Sequence, residues 1–137
     1  MMKNKKGFTL IEMITVIAIL ALLMAIMFPH MWRLYAKSRY TVCISNLKNI
    51  ANALQIYMTE HEKFPPSLEE LTPDYISTIP KCPEANADTY TDGYEVDDEN
   101  TRYTLCCKGS YHTILGYEED EPFYSSEGGL NQGPASE

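Results

Sequence analysis

Residues 8–28 read FTLIEMITVIAILALLMAIMF, and this stretch decides the fold. From Met13 to Phe28 every residue except Thr15 is apolar. As a helix that rises about 1.5 Å per residue, the stretch reaches about 30 Å, which matches the hydrocarbon core of a bilayer. We therefore predict a transmembrane helix over residues 8–28.

The charges that flank this segment predict how the chain is placed in the membrane. Lys3, Lys5 and Lys6 precede the apolar run, which favours a cytoplasmic N-terminus. No A-x-A-like site closes the run, so we expect a permanent single-pass anchor in the inner or cytoplasmic membrane. The net charge is -8, with most acidic residues from Glu84 onward. Because such a surface repels phosphate backbones, we expect no binding of nucleic acid.

One acidic residue, Glu12, interrupts the apolar segment. An ionised carboxylate left alone in lipid costs on the order of a few kcal/mol. Cleavage between Gly7 and Phe8 would place a new α-amino group on Phe8, four residues before Glu12. Within one helix, or between two parallel helices displaced along their axes, this amine can pair with the carboxylate. Under this interpretation Phe8 and Glu12 form an assembly signal.

Residues 5–12, KKGFTLIE, resemble the cleavage and assembly signature of type IV prepilins and type II secretion pseudopilins. In that family a membrane peptidase cuts after the glycine that matches Gly7 and methylates the next residue, here Phe8. The family's counterpart of Glu12 sets the register of subunits during polymerisation. The resemblance thus implies that residues 1–7 are a basic leader that is removed. It also implies a prepilin peptidase and an inner-membrane assembly platform as partners.

A helical pattern continues beyond the apolar segment. Residues 29–63 carry apolar side chains at spacings of three and four, which predicts an amphipathic continuation of the helix. Pro29 predicts a kink, because proline removes a backbone donor and clashes with the preceding turn. The apolar stripe consists of Cys43, Leu47, Ile50, Leu54 and then Tyr57 or Met58.

Residues 64–137 are predicted to form a small C-terminal α+β domain. Phe64, Pro65 and Pro66 end the long helix, and Ser67 to Glu70 read as a capping box that opens a short helix. From residue 125 onward we expect a flexible acidic tail.

The predicted sheet is antiparallel. Candidate strands cover residues 93–97 and 103–108, joined by a polar turn of hairpin length, and a third covers residues 112–116. The expected fold class is therefore α+β and pilin-like, with a long N-terminal helix packed against a small antiparallel sheet.

The four cysteines are Cys43, Cys82, Cys106 and Cys107. An even number in a small extracytoplasmic domain favours disulfides. A bond between the adjacent Cys106 and Cys107 is strained, which leaves two full pairing schemes. Strand alternation turns Cys107 inward, and of the two schemes we favour Cys82 with Cys107 and Cys43 with Cys106.

Two kinds of metal site come into question. Asp92, Asp97 and Asp98 are calcium candidates, because calcium prefers carboxylate oxygens, but no EF-hand spacing is present. The cysteines with His61 or His112 suggest zinc, but no C-x-x-C or H-x-x-x-H spacing occurs, so we expect no zinc site. No other cofactor is expected.

These features predict a structural role. No Ser-His-Asp set, carboxylate cleft or phosphate loop can be placed, so we expect no enzyme. We predict a subunit that polymerises, after cleavage, into a homo-oligomeric filament in the periplasm or at the cell surface. The filament is either type IV pilus-like or a type II secretion pseudopilus. The alternative is a membrane-tethered extracytoplasmic protein that captures calcium or a partner without polymerising, and only the filament requires Glu12.

Overall fold

The computed structural model describes residues 7–131. Helix α1, Leu10–His61, contains 52 residues and includes Pro29. Two 3-10 helices, Leu68–Leu71 and Thr113–Leu115, and four strands follow it. The strands are β1, Tyr94–Val96; β2, Tyr103–Cys106; β3, Phe123–Ser125; and β4, Gly129–Asn131. The predicted leader, except Gly7, and residues 132–137 of the predicted tail lie outside the described residues.

The chain divides into two compact units, one ending at Leu34 and the other beginning at Tyr35. In the first unit, α1 exposes nearly all of its large apolar side chains; Leu10, for example, is 80% exposed. Among the described residues, α1 is the one helix long and apolar enough to cross a membrane. Its apolar surface suits lipid or copies of itself, because water disfavours so large an exposed apolar area.

The core of the second unit forms around the predicted apolar stripe of α1. Cys43, Leu47, Ile50 and Leu54 are buried, as the helical spacing predicts. The buried residues that pack with them come from the first 3-10 helix, the loop before β1 and the sheet, and include Leu68, Leu71, Tyr90, Tyr103 and Leu105.

The sheet is antiparallel and follows the order β1-β2-β3-β4. The predicted hairpin between β1 and β2 is confirmed, with Tyr94 opposite Leu105. Gly93, which directly precedes β1, lies very close to the backbone of Cys106. A Cβ added at Gly93 would lie 2.3 Å from the Cys106 carbonyl oxygen. Glycine is needed there because no other residue lets the two backbones approach so closely.

The predicted third strand is wrong. Residues 112–116 form a 3-10 turn, with His112 at its start and Gly116 in the left-handed region at φ 87° at its end. The third strand is instead β3, which begins at Phe123, two residues before the predicted flexible tail, and the fourth strand, β4, lies within that tail. Gly129, at φ 69°, allows the chain to reverse between them.

The predicted capping box at Ser67 is also wrong. Ser67 makes no side-chain cap hydrogen bond, and the segment is a single 3-10 turn. Leu68 and Leu71 are both completely buried. Residues three apart lie on the same side of a 3-10 helix, so this geometry buries both leucines in the core.

Candidate functional site

The N-terminus of α1 is closed by reciprocal hydrogen bonds between Thr9 and Glu12. The Thr9 N–H and hydroxyl donate to Glu12 Oε2 at 3.0 and 2.9 Å, and the Glu12 N–H donates to Thr9 Oγ1 at 3.4 Å. This arrangement is a capping box. Thr9 was not among the predicted site residues, although Thr-x-x-Glu before an apolar run is the sequence pattern of a capping box.

The predicted cleavage site precedes this box. Gly7, Phe8 and Thr9 have no helical or strand structure, and Phe8 is 75% exposed. A Cβ added at Gly7 would meet nothing within 4 Å. The peptide bond between Gly7 and Phe8 therefore precedes the helix and is exposed to an approaching group.

Of the calcium candidates, Asp97 is engaged in the hairpin turn between β1 and β2. Its carboxylate accepts hydrogen bonds from the N–H groups of Arg102 and Thr101 and from the Thr101 hydroxyl. The backbone bond from Arg102, followed by the bond from the Thr101 side chain, lowers the pKa of Asp97 to about 2. Within residues 7–131, the grouped metal-ligand side chains do not include Asp92, Asp97 or Asp98. Calcium binding stays a prediction.

The cysteines are arranged differently from the pairing that we favoured. All four are free thiols. Cys106 and Cys107 point to opposite sides because side chains alternate along a strand, and only Cys107 is fully buried. Cys43 therefore lies with Cys82 and Cys107, and the predicted bond between Cys43 and Cys106 is wrong. The predicted bond between Cys82 and Cys107 is not formed either, since both residues are free thiols.

A fourth side chain, His112, joins these three cysteines. We call Cys43, Cys82, Cys107 and His112 the Cys/His cluster. Their four potential ligand atoms all lie within 4.8 Å of one another, and all four residues are buried. The Cys82 Sγ lies 4.0 Å from His112 Nε2. His112 is one of the two histidines whose local spacing gave no reason to expect a zinc site.

Each member of the cluster is positioned by a different element. Cys43 lies on α1, and Cys82 begins a turn closed by its N–H, which donates to the Ala87 carbonyl at 2.8 Å. Cys107 follows β2, and His112 precedes the second 3-10 helix with its ring centroid 5.1 Å from that of Tyr40. Because the four residues are dispersed over these elements, local spacing motifs do not detect them.

The sulfur atoms have further hydrogen-bond partners around them. The Tyr90 hydroxyl donates to Cys43 Sγ at 3.2 Å, and Thr89 Oγ1 lies 3.2 Å from Cys107 Sγ. Hydrogen bonds from the thiols of Cys107 and Cys43 lower the pKa of Cys82, and the backbone N–H of Ala85 adds to this effect.

Known proteins resemble the chain at its N-terminus and along most of its length. A family model described as the prokaryotic N-terminal methylation motif matches residues 2–28. Competence protein ComGC of Bacillus subtilis is 30% identical over 95 residues, which cover 66% of this chain and 93% of ComGC. The chain belongs to the type IV pilin-like family that includes ComGC. The predicted family and fold class are thereby confirmed.

Two further relatives of this pilin-like chain differ in the share of their own length that the match covers. The ComG operon protein 3 homolog of Bacillus licheniformis is 29% identical over 91 residues, 66% of this chain and 94% of that protein. The type IV wide pilus major component PilA4 of Thermus thermophilus is 33% identical over 63 residues, 46% of this chain. That match spans 48% of PilA4, about half of its length.

Proposed function

We propose that this type IV pilin-like structural subunit is made as a membrane precursor, cut between Gly7 and Phe8, methylated at Phe8 and polymerised into an extracytoplasmic filament. The observation that carries the proposal is a membrane-length apolar segment, residues 8–28, whose one carboxylate, Glu12, lies in the first turn of α1 and close to the exposed Gly7–Phe8 bond. Hydrolysis adds water across that bond. It leaves a carboxylate on Gly7 and an amine on Phe8.

Glu12 then has two successive roles. In the uncut chain both Thr9 donors go to Oε2, so the carboxylate is satisfied within its own helix. A carboxylate accepts more than two hydrogen bonds, so it can also receive the Phe8 amine of a neighbouring subunit. In a low-dielectric bundle this pairing is far stronger than in water, and it sets the axial register of adjacent subunits.

The apolar part of α1 supplies the packing force of the filament. Its side chains contact lipid in the precursor and contact copies of themselves in the polymer. Ala18, Ala21 and Ala25 give positions of close approach between parallel helices. The inner-membrane assembly platform would move the subunit from the first environment to the second.

The lengths of the matches favour a competence role for the filament. The two competence proteins match over nearly their whole length, whereas PilA4 matches over about half of its own. A type II secretion pseudopilus is the second candidate, because its subunits share the same N-terminal signature. In either case the chain acts as a structural subunit, without catalytic activity or a nucleic-acid surface of its own.

Two variants of Glu12 test the proposal in cells that assemble the filament. Glu12→Ala removes both the cap and the charge, whereas Glu12→Gln keeps a capping acceptor and loses only the charge. We expect both chains to be inserted and cleaved, and both to fall about tenfold or more in sheared filaments, the effect of losing about 1.4 kcal/mol per contact. Glu99→Gln, an exposed hairpin position, is the matched control and leaves filament yield unchanged.

Normal incorporation of the Glu12→Gln chain would overturn charge pairing as the assembly signal. Loss with Ala alone would assign Glu12 to helix capping. A chain that is never incorporated, whatever its residue 12, would instead favour the membrane-tethered binding protein.

A further inference from the structure

The Cys/His cluster has no part in the proposed assembly. It lies entirely in the second unit. Cys43 belongs to α1, Cys82 begins a turn, Cys107 directly follows β2 and His112 precedes the second 3-10 helix. Three thiols and an imidazole are completely or almost completely shielded from solvent, with exposures of 0% for the cysteines and 2% for His112. A convergence of four ligand side chains in a small core requires an explanation.

Disulfide bonding does not account for the cluster. Three thiols converge, and any bridge between two of them leaves the third thiol and His112 without a role. The remaining cysteine, Cys106, cannot complete a second pair because it lies on the other face of the strand, beside Gly93. A ligand that uses all four side chains explains the arrangement better.

The geometry points to a metal ion. We propose that Cys43, Cys82, Cys107 and His112 bind one zinc ion in a tetrahedral Cys3His site. Zinc–sulfur bonds of about 2.3 Å place tetrahedral ligand atoms about 3.8 Å apart. The present separations, at most 4.8 Å overall and 4.0 Å between Cys82 Sγ and His112 Nε2, require only a small contraction. Thiolate with imidazole is the donor set of structural zinc.

The surroundings of the sulfurs fit metal-bound thiolates. Each of the three has a hydrogen-bond partner outside the cluster: the Tyr90 hydroxyl for Cys43, Thr89 Oγ1 for Cys107 and the Ala85 N–H for Cys82. Such outer partners orient ligands and offset the negative charge that three thiolates bring. Asn46 in turn donates to the Tyr90 hydroxyl at 3.2 Å, which fixes that partner.

The site is structural and closed. Four protein ligands fill a tetrahedral zinc ion, so no position remains for a substrate or a reactive water. The ion would join α1 to the Cys82 turn and to the loop after β2. That loop is already held by Asp120, which accepts from the Gly109 N–H at 2.7 Å and from Lys108 Nζ at 2.8 Å. A metal ion that joins these elements would stabilise the sheet, because its strands have only three or four residues and the core around them is small.

Metal counting on the full-length chain tests the proposal. The chain is purified in detergent under reducing conditions, loaded with zinc, dialysed and measured by elemental mass spectrometry. We expect one zinc ion per chain for the wild type and for Cys106→Ser. The Cys107→Ser and His112→Ala chains should bind about tenfold less zinc or lower still, because each lacks a ligand. Cys106 is the ideal control, being the adjacent cysteine outside the cluster.

Cobalt gives a second measurement that needs no ligand variant. Loaded in place of zinc, it should give the visible absorption of a tetrahedral cobalt thiolate in the wild type and in Cys106→Ser. A chelator should abolish this signal and lower the thermal midpoint of both proteins by about 10 °C or more. The Glu12→Gln chain should bind zinc normally, so failure of filament assembly and failure of metal binding are distinguishable.

Two results would overturn the site. One is the absence of zinc and of the cobalt spectrum in the wild-type chain at excess metal. The other is a disulfide between two of Cys43, Cys82 and Cys107 in protein recovered from the cell envelope, found by peptide mapping without reduction.

Discussion

At the residue scale, the Glu12 carboxylate has a partner within its own helix. In the sequence, Glu12 is the one acidic residue of an apolar segment. We propose that its partner is the Phe8 amine, which exists only after cleavage. The structure adds a local partner, Thr9, which satisfies the carboxylate within the uncut chain. Thr9 lies three residues before Glu12, and the sequence pattern that predicts this contact is local. In the uncut chain the carboxylate is therefore hydrogen-bonded without a second subunit.

Substitution of Thr9 tests whether its hydroxyl caps the N-terminus of α1. Thr9→Val removes the hydroxyl that bonds Glu12, whereas Thr9→Ser keeps it. We expect the Val variant to lose about 1 kcal/mol at the helix start, so that amide exchange in the first turn accelerates about fivefold. Hydrogen exchange read by NMR in detergent micelles checks this result. Equal exchange rates in the Val and Ser variants would contradict the capping role.

At the element scale, patterns within one segment were predictable and pairings across the chain were not. The apolar stripe of α1 and the alternation of Tyr103, Leu105 and Cys107 follow from helix and strand periods. β3 and β4 were missed because strands of three residues carry too little alternation to be detected. The Cys/His cluster was missed for a similar reason, since the fold alone joins Cys43 to His112.

Asp97 gives the hairpin between β1 and β2 a dependence on pH. Its pKa is about 2 in the folded chain, against an ordinary value of 3.8, because it accepts bonds from Arg102 and Thr101. The stabilisation is complete above about pH 4 and is lost as the pH falls through 2. We expect wild-type and Asp97→Asn chains to differ in urea midpoint at pH 7 and to converge between about pH 4 and 2.

Asp98→Asn is the control for this experiment, because Asp98 is exposed in the same turn. It should follow the wild type at every pH. A constant difference between the wild type and Asp97→Asn down to pH 2 would show that the Asp97 carboxylate does not stabilise the folded hairpin.

At the scale of the whole molecule, the two units differ in where their apolar side chains lie. The first unit presents apolar side chains, the property that a membrane segment and a filament core share. The second unit has its own buried core, assembled from the α1 stripe, the 3-10 helix and the sheet. Hydropathy predicts an apolar segment over residues 8–28, because a bilayer and a water-exposed domain impose opposite compositions, whereas the first unit extends to Leu34.

A fragment that begins at Tyr35 tests the independence of the second unit. We expect it to fold without detergent and to remain monomeric, because it retains the core and lacks the apolar segment. Size-exclusion chromatography with light scattering and circular dichroism measure both properties. The full-length chain in the same buffer should require detergent. A fragment that is unfolded or aggregated at neutral pH would show that its core is not sufficient.

The most direct test of the filament account is the mass of the N-terminal peptide of protein recovered from sheared filaments. We expect a chain that begins at Phe8 and carries one methyl group on its amine, with Gly7 and the preceding residues removed. Recovery of chains that retain Met1, or that begin near Pro29, would contradict it, because the amine that pairs with Glu12 would not exist.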